Sequence, residues 1–122
     1  MGDVFQHLDL PPNVASAALP LNASGVHELA WSRADALRVL DYLAGRPIAV
    51  LGGDVLSSVE PLEYAHANWH AERQPDEGPH QYVARSQNVA REYIHRYPGT
   101  HAWFVLVLED EGGIATRSPN DR

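Results

Sequence analysis

Cysteine is absent from this chain, which removes disulfides, thiolate nucleophiles and every cysteine-based metal site. Lysine is absent too. All nine basic side chains are arginine, so there is no amine for Schiff-base chemistry and none for a phosphate-binding loop. No apolar run approaches the roughly 18 residues of a membrane span. Internal repeats and low-complexity tracts are also missing. Before Pro11-Pro12 the chain has Asp3 and Asp9 but neither a basic leader nor an apolar stretch, so no secretory signal and a cytosolic location are expected. Positive charge is scarce: 16 acids face 9 bases, a net charge of −7. A phosphate backbone or an anionic membrane surface attracts the opposite sign, so direct nucleic-acid and membrane binding are disfavoured. What remains is 122 residues, 44% hydrophobic and 20% charged, the composition of one globular domain with a genuine core.

Along the chain, residues 1–24 read as a lead-in in which Pro12 opens a short helix toward Leu19, stopped by Pro20. Val26–Trp31 reads as an extended piece at a sheet edge. Ser32, followed three residues later by Asp35, predicts a capped helix over Arg33–Ala44 that ends at Gly45. Pro47–Leu51 is a short apolar run with β-branched Ile48 and Val50, the pattern of a buried strand. Gly52-Gly53-Asp54 then predicts a turn or bulge, since paired glycines admit positive φ and close approach. Val55–Tyr64 resumes the strand or forms its hairpin partner, with Pro61 at an edge or break. Ala65–Pro79 reads as a long loop, and a second helix runs from Pro79 to about Tyr97 before Pro98-Gly99. Ala102–Leu108 is apolar on both faces, which predicts a central strand. Residues 110–122 are a polar tail expected to fray.

Few of these residues carry catalytic signals. His66 and His70 stand at i, i+4, the spacing of a helical zinc pair, but the surrounding segment reads as loop and supplies no third ligand, so no metal site and no cofactor are expected. Ser57, Ser58 and Ser86 lie outside any nucleophile-elbow motif, and Gly52-Gly53 lacks phosphate-loop context. Asp54, directly after two glycines, is the most site-like single residue; its structural reading is an Asx-type cap on its own turn. Trp69 either folds its loop onto the core or stands exposed as a partner anchor. From Glu60 to His80 there are five acids (Glu60, Glu63, Glu72, Asp76 and Glu77) and one base, Arg73, a local charge of −4. Such a stretch is either a solvated surface or the complement of a basic partner.

Glu28-Leu29-Ala30-Trp31 before a helix, Ile48-Ala49-Val50-Leu51-Gly52-Gly53-Asp54-Val55, Asn68-Trp69, a helix with Ser86, Ala90, Tyr93 and Ile94, and Trp103-Phe104-Val105-Leu106-Val107 together resemble the immunity protein 40 family. The likeness spans roughly residues 25–108 and departs from the family pattern at Ala67 and His70. It implies a non-catalytic bacterial immunity protein of a polymorphic toxin system. Such a protein has an α+β fold and neutralises a cognate toxin domain by binding it, and many of these toxins are basic and act on nucleic acid.

The expectation is therefore an α+β domain over residues 25–109, with two main helices on one face of a small, mostly antiparallel sheet of three to four strands. Glu60, Glu63, Trp69, Glu72, Asp76 and Glu77 are the candidate partner-binding residues, while Gly52, Gly53, Asp54 and Asn68 form a structural motif. The alternative is a small enzyme or ligand-binding module centred on Asp54, His66 and His70.

Overall fold

Helix formation at Arg33 begins with Ser32, whose hydroxyl accepts a hydrogen bond from the Asp35 N–H at 3.2 Å, as the capping pattern predicts. The helix runs Arg33–Leu43 and terminates at Gly45, whose φ of +82° is the left-handed conformation open to glycine. The second long helix, Pro79–Arg96, starts with proline in its first turn. The Gln81 side chain accepts the Gly78 N–H at 2.9 Å there. Arg33 joins the two: its guanidinium donates to the carbonyls of Ile94 and Gly99, occupying acceptors left open where the second helix ends.

The computed structural model describes residues 10–21 and 29–110. In chain order the elements are α1 Pro12–Ala15, β1 Leu19–Pro20, β2 Leu29–Ser32, α2 Arg33–Leu43, β3 Ile48–Val59, β4 Leu62–His70, α3 Pro79–Arg96 and β5 Trp103–Asp110. The fold is α+β, and every strand pair is antiparallel. The sheet order is β1-β2-β5-β3-β4, so β5 lies between strands that both precede it in the chain. Its central place matches the expectation from its two apolar faces.

Three expectations need correction. The sheet has five strands where three to four were expected, because Leu19–Pro20, read as the end of a helix, pairs with Leu29 and Ala30 instead. The predicted helix from Pro12 is correspondingly a single turn. Residues 10–21 are tied to the domain, with Val14 and Leu21 each only 4% exposed. Of the predicted Val26–Trp31 strand, Leu29–Trp31 is seen within β2, and Val26, His27 and Glu28 lie outside the described residues, as do 1–9 and 111–122.

Secondly, Gly52-Gly53-Asp54 makes no turn. β3 runs through it unbroken for 12 residues. The bulge half of the expectation is present nearby, where the β3–β5 register shifts between Val50 and Gly52. Thirdly, the long loop predicted over Ala65–Pro79 is strand as far as His70. Ala65, Ala67 and Trp69 turn toward the helices, and Asn68 and His70 are exposed, an alternation of period two.

The main core lies between the helices and one sheet face. Trp31, Leu40, Leu43, Val50, Val55, Ile94 and Phe104 are each at most 1% exposed within it. Each such side chain contributes roughly 1.5–3 kcal/mol through burial. Ser86 is the buried polar exception. Its hydroxyl donates to Val83 O and accepts the Val50 N–H, both at 2.9 Å, pinning α3 onto β3. A smaller cluster of Leu21, Ala30, Leu56 and Val105 occupies the opposite sheet face, and no helix residue belongs to it.

Candidate functional site

The diglycine segment is explained by close packing. A Cβ on Gly53 would fall 2.2 Å from the Val105 carbonyl oxygen and 2.4 Å from Cη2 of Trp69, and one on Gly52 would fall 2.2 Å from the Trp69 carbonyl oxygen. Only glycine leaves room for the indole, which lies over Gly53 across the β3–β4 ladder. Trp69 is 5% exposed and stacks on Tyr93 with ring centroids 4.7 Å apart. Tyr93 in turn leads through Tyr97 to Phe104, an aromatic row along the inner sheet face. Burial, with a smaller contribution from Tyr97, pushes the Tyr93 phenol above its ordinary pKa. Trp69 thus takes the first of its two predicted roles, and its ring is withdrawn from any partner.

Asp54 is not a turn cap. It sits mid-strand, opposite Val105 on one side and Asn68 on the other. Gly52, Gly53, Asp54 and Asn68, singled out together in the sequence, therefore belong to one two-strand ladder. His70 pairs with Gly52, one same-face step from Asp54. His66 occupies a bulge in β4 with φ of 59°, where the register shifts between Val55 and Leu56. Asp54 and His70 thus share a sheet face, while His66 belongs to the distortion. No group of three metal-ligating side chains occurs among the described residues.

The acids from Glu60 to Glu77 do not form one patch. Glu60 and Glu63 are exposed at the β3–β4 hairpin, which turns through a cis Glu60-Pro61 peptide. Glu72, Asp76 and Glu77 lie beyond the other end of β4, separated by nine strand residues or roughly 30 Å. Glu77 is already engaged. Its carboxylate accepts from Arg85 Nε at 2.6 Å and Nη2 at 2.9 Å and from the Gln74 N–H at 3.0 Å, and its side chain is 10% exposed. The Arg85 hydrogen bonds, then the backbone one, lower its pKa from 4.5 to about 2, and the pairing raises that of Arg85. Arg85 also donates to the Glu72 carbonyl, so this clamp orders the loop that leads into α3.

A division of charge between layers has no local signature along the chain. Arg33, Arg38, Arg46, Arg73, Arg85, Arg91 and Arg96 all lie on α2, α3 or the loops beside them, and no strand carries an arginine. Asp54, Glu60, Glu63 and Glu109 lie on the strands or the hairpin turn. Tyr64 and Val107 were also overlooked. They are exposed at 43% and 39% on the face opposite the helices, and strict alternation from Trp103 or along β4 would have pointed to them.

The family model described as immunity protein 40 matches residues 20–108, a span that includes β2 through most of β5. This chain belongs to the immunity protein 40 family. No curated protein and no solved structure matches it. In this family member the matched span contains the diglycine ladder, the buried Trp69 and both long helices. None of its described helices is long and apolar enough to cross a membrane.

Proposed function

We propose that the protein neutralises a cognate bacterial toxin domain by binding it directly, in the cytoplasm and without catalysis. Family membership over residues 20–108 carries this reading. Charge supports it: at −7 the molecule attracts a basic partner and repels nucleic acid. A toxin domain that grips nucleic acid presents the surface such an inhibitor covers. The exposed acids Glu60, Glu63, Glu72 and Asp76 speed the encounter from two ends of β4, whereas Glu77 and Trp69 are held within the molecule.

The test is co-expression with the toxin domain encoded beside this gene. The expected result is restored growth together with a stable complex on size-exclusion chromatography. Growth arrest despite soluble, folded protein, with the two components eluting separately, refutes the reading.

A further inference from the structure

The sheet face turned away from α2 and α3 is laid out by register as a grid three residues deep across β5, β3 and β4. Its first row is Val107, Gly52 and His70, its second Val105, Asp54 and Asn68, and its third Trp103, Leu56 and Tyr64. Neighbouring columns are about 4.8 Å apart and successive rows about 6.7 Å. Asp54 is the central position. It is half-buried, and its side chain has no hydrogen bond or ion pair among the described residues, with Val105 beside it and Leu56 and Gly52 along its own strand. A half-buried carboxylate without a partner offers a pairing position to an incoming cation. Among the described residues no arginine is on a strand to fill it. Val107 and Tyr64, the large hydrophobics exposed among the described residues, stand at opposite corners of the grid. Exposed apolar corners around a lone charge match the composition of a docking surface.

Leu56 and Val105 are themselves fully buried, so the accessible part of this face is Val107, Asp54 and the β4 side. We infer that this accessible part is where the toxin domain docks, with a toxin arginine or lysine pairing with Asp54 and toxin apolar side chains covering Tyr64 and Val107. Asn68 and His70, both exposed, supply polar contacts along the β4 side. The inference rests on the neutralisation reading and assigns it a surface distinct from the loop before α3. Pairing at a half-buried central carboxylate acts on the dissociation rate, whereas the rim acids act on encounter.

The experiment measures Kd by calorimetry between this protein and the toxin domain encoded beside its gene. Variants are Asp54→Asn, Tyr64→Ser and Val107→Arg, with Ala84→Arg on the exposed side of α3 as the control. Circular dichroism melts establish that each is folded. Wild-type protein that fails to bind overturns the neutralisation reading and this inference with it. If wild type binds, at least tenfold weaker affinity is expected for Asp54→Asn and for Val107→Arg, against less than twofold for Ala84→Arg. The salt dependence of Kd also flattens in Asp54→Asn. Binding by folded Asp54→Asn within twofold of wild type, or a tenfold loss confined to Ala84→Arg, overturns the docking face while leaving neutralisation intact. If Asp54→Asn does not fold, Val107→Arg and Tyr64→Ser decide in the same way.

Discussion

The helical layer and the open sheet face solve the problem of charge in opposite ways. On the helices, Arg38 pairs with Asp35, Arg85 with Glu77, Arg91 with Asp41 and Arg96 with Glu92. Arg46 packs on Tyr42, and Arg33 closes the end of α3 over the Phe104 ring. The exposed pairs among these stabilise little, yet they leave few charges on the helical side unengaged. On the open face Asp54 has no such partner, and Tyr64 and Val107 remain uncovered. Local rules of stability are satisfied across the helical layer and relaxed on the other face at Asp54, Tyr64 and Val107, beside the buried Leu56 and Val105. Departures of that kind collect where a protein meets something else.

The sharpest way to break this contrast is to remove the same kind of side chain from each region. Leu40→Ala excavates the core beneath the helices and should cost about 2–5 kcal/mol, because Leu40 is 1% exposed and its neighbours cannot fully collapse. Val107→Ala on the open face should cost less than about 1 kcal/mol. Urea melts of the pair measure both, and comparable losses would mean that the two faces are equally structural.

Gly53→Ala probes the junction between the regions. Its added Cβ meets backbone at Val105 and the Trp69 ring, so overpacking of about 1–3 kcal/mol is expected. The cause is steric, not a positive φ, and Gly53→Ala with Trp69→Leu should therefore lose less than the sum of the two single changes. Strict additivity would remove the indole contact as the explanation.

The smallest effect concerns the clamp at Glu77. Its pKa in the folded protein, about 2, lies below the ordinary 4.5, so the carboxylate favours the native state above about pH 4.5. That contribution disappears as pH falls from 4.5 toward 2. The melting temperatures of wild type and Glu77→Gln should differ by a constant amount at neutral pH and converge across this acid window. A gap unchanged down to pH 2 would show that the carboxylate charge is irrelevant to the clamp.

Much of the helical layer was legible because its signals are local. Ser32 with Asp35, Gly45, Pro79 and the spacing of Tyr82, Val83, Ser86, Ala90 and Ile94 each act within a few residues. The run Trp103–Leu108 announced a central strand in the same way. β4 was harder, because its inward positions are small alanines before Trp69 and its histidine spacing imitates a helix. The glycines misled for a different reason. Their neighbours in sequence suggest a turn, but what they accommodate, Trp69 and the Val105 carbonyl, is brought there by strand pairing. Asp54 was noticed for its position after them, while its isolation among Val105, Leu56 and Gly52 follows from register that no local pattern encodes.

The placement of β5 has a consequence for the timing of folding. During synthesis the β3–β4 hairpin and the β2–α2 unit both leave the ribosome before Trp103, yet no ladder joins β2 to β3 until β5 enters between them. Ala30 must wait for Val105, and Asp54 gains one of its two flanking strands only then. Pairings this distant in sequence form slowly compared with helices. The grid around Asp54 is thus assembled by one late insertion, and a nascent chain that stops short of Leu108 displays neither the finished sheet nor its open face.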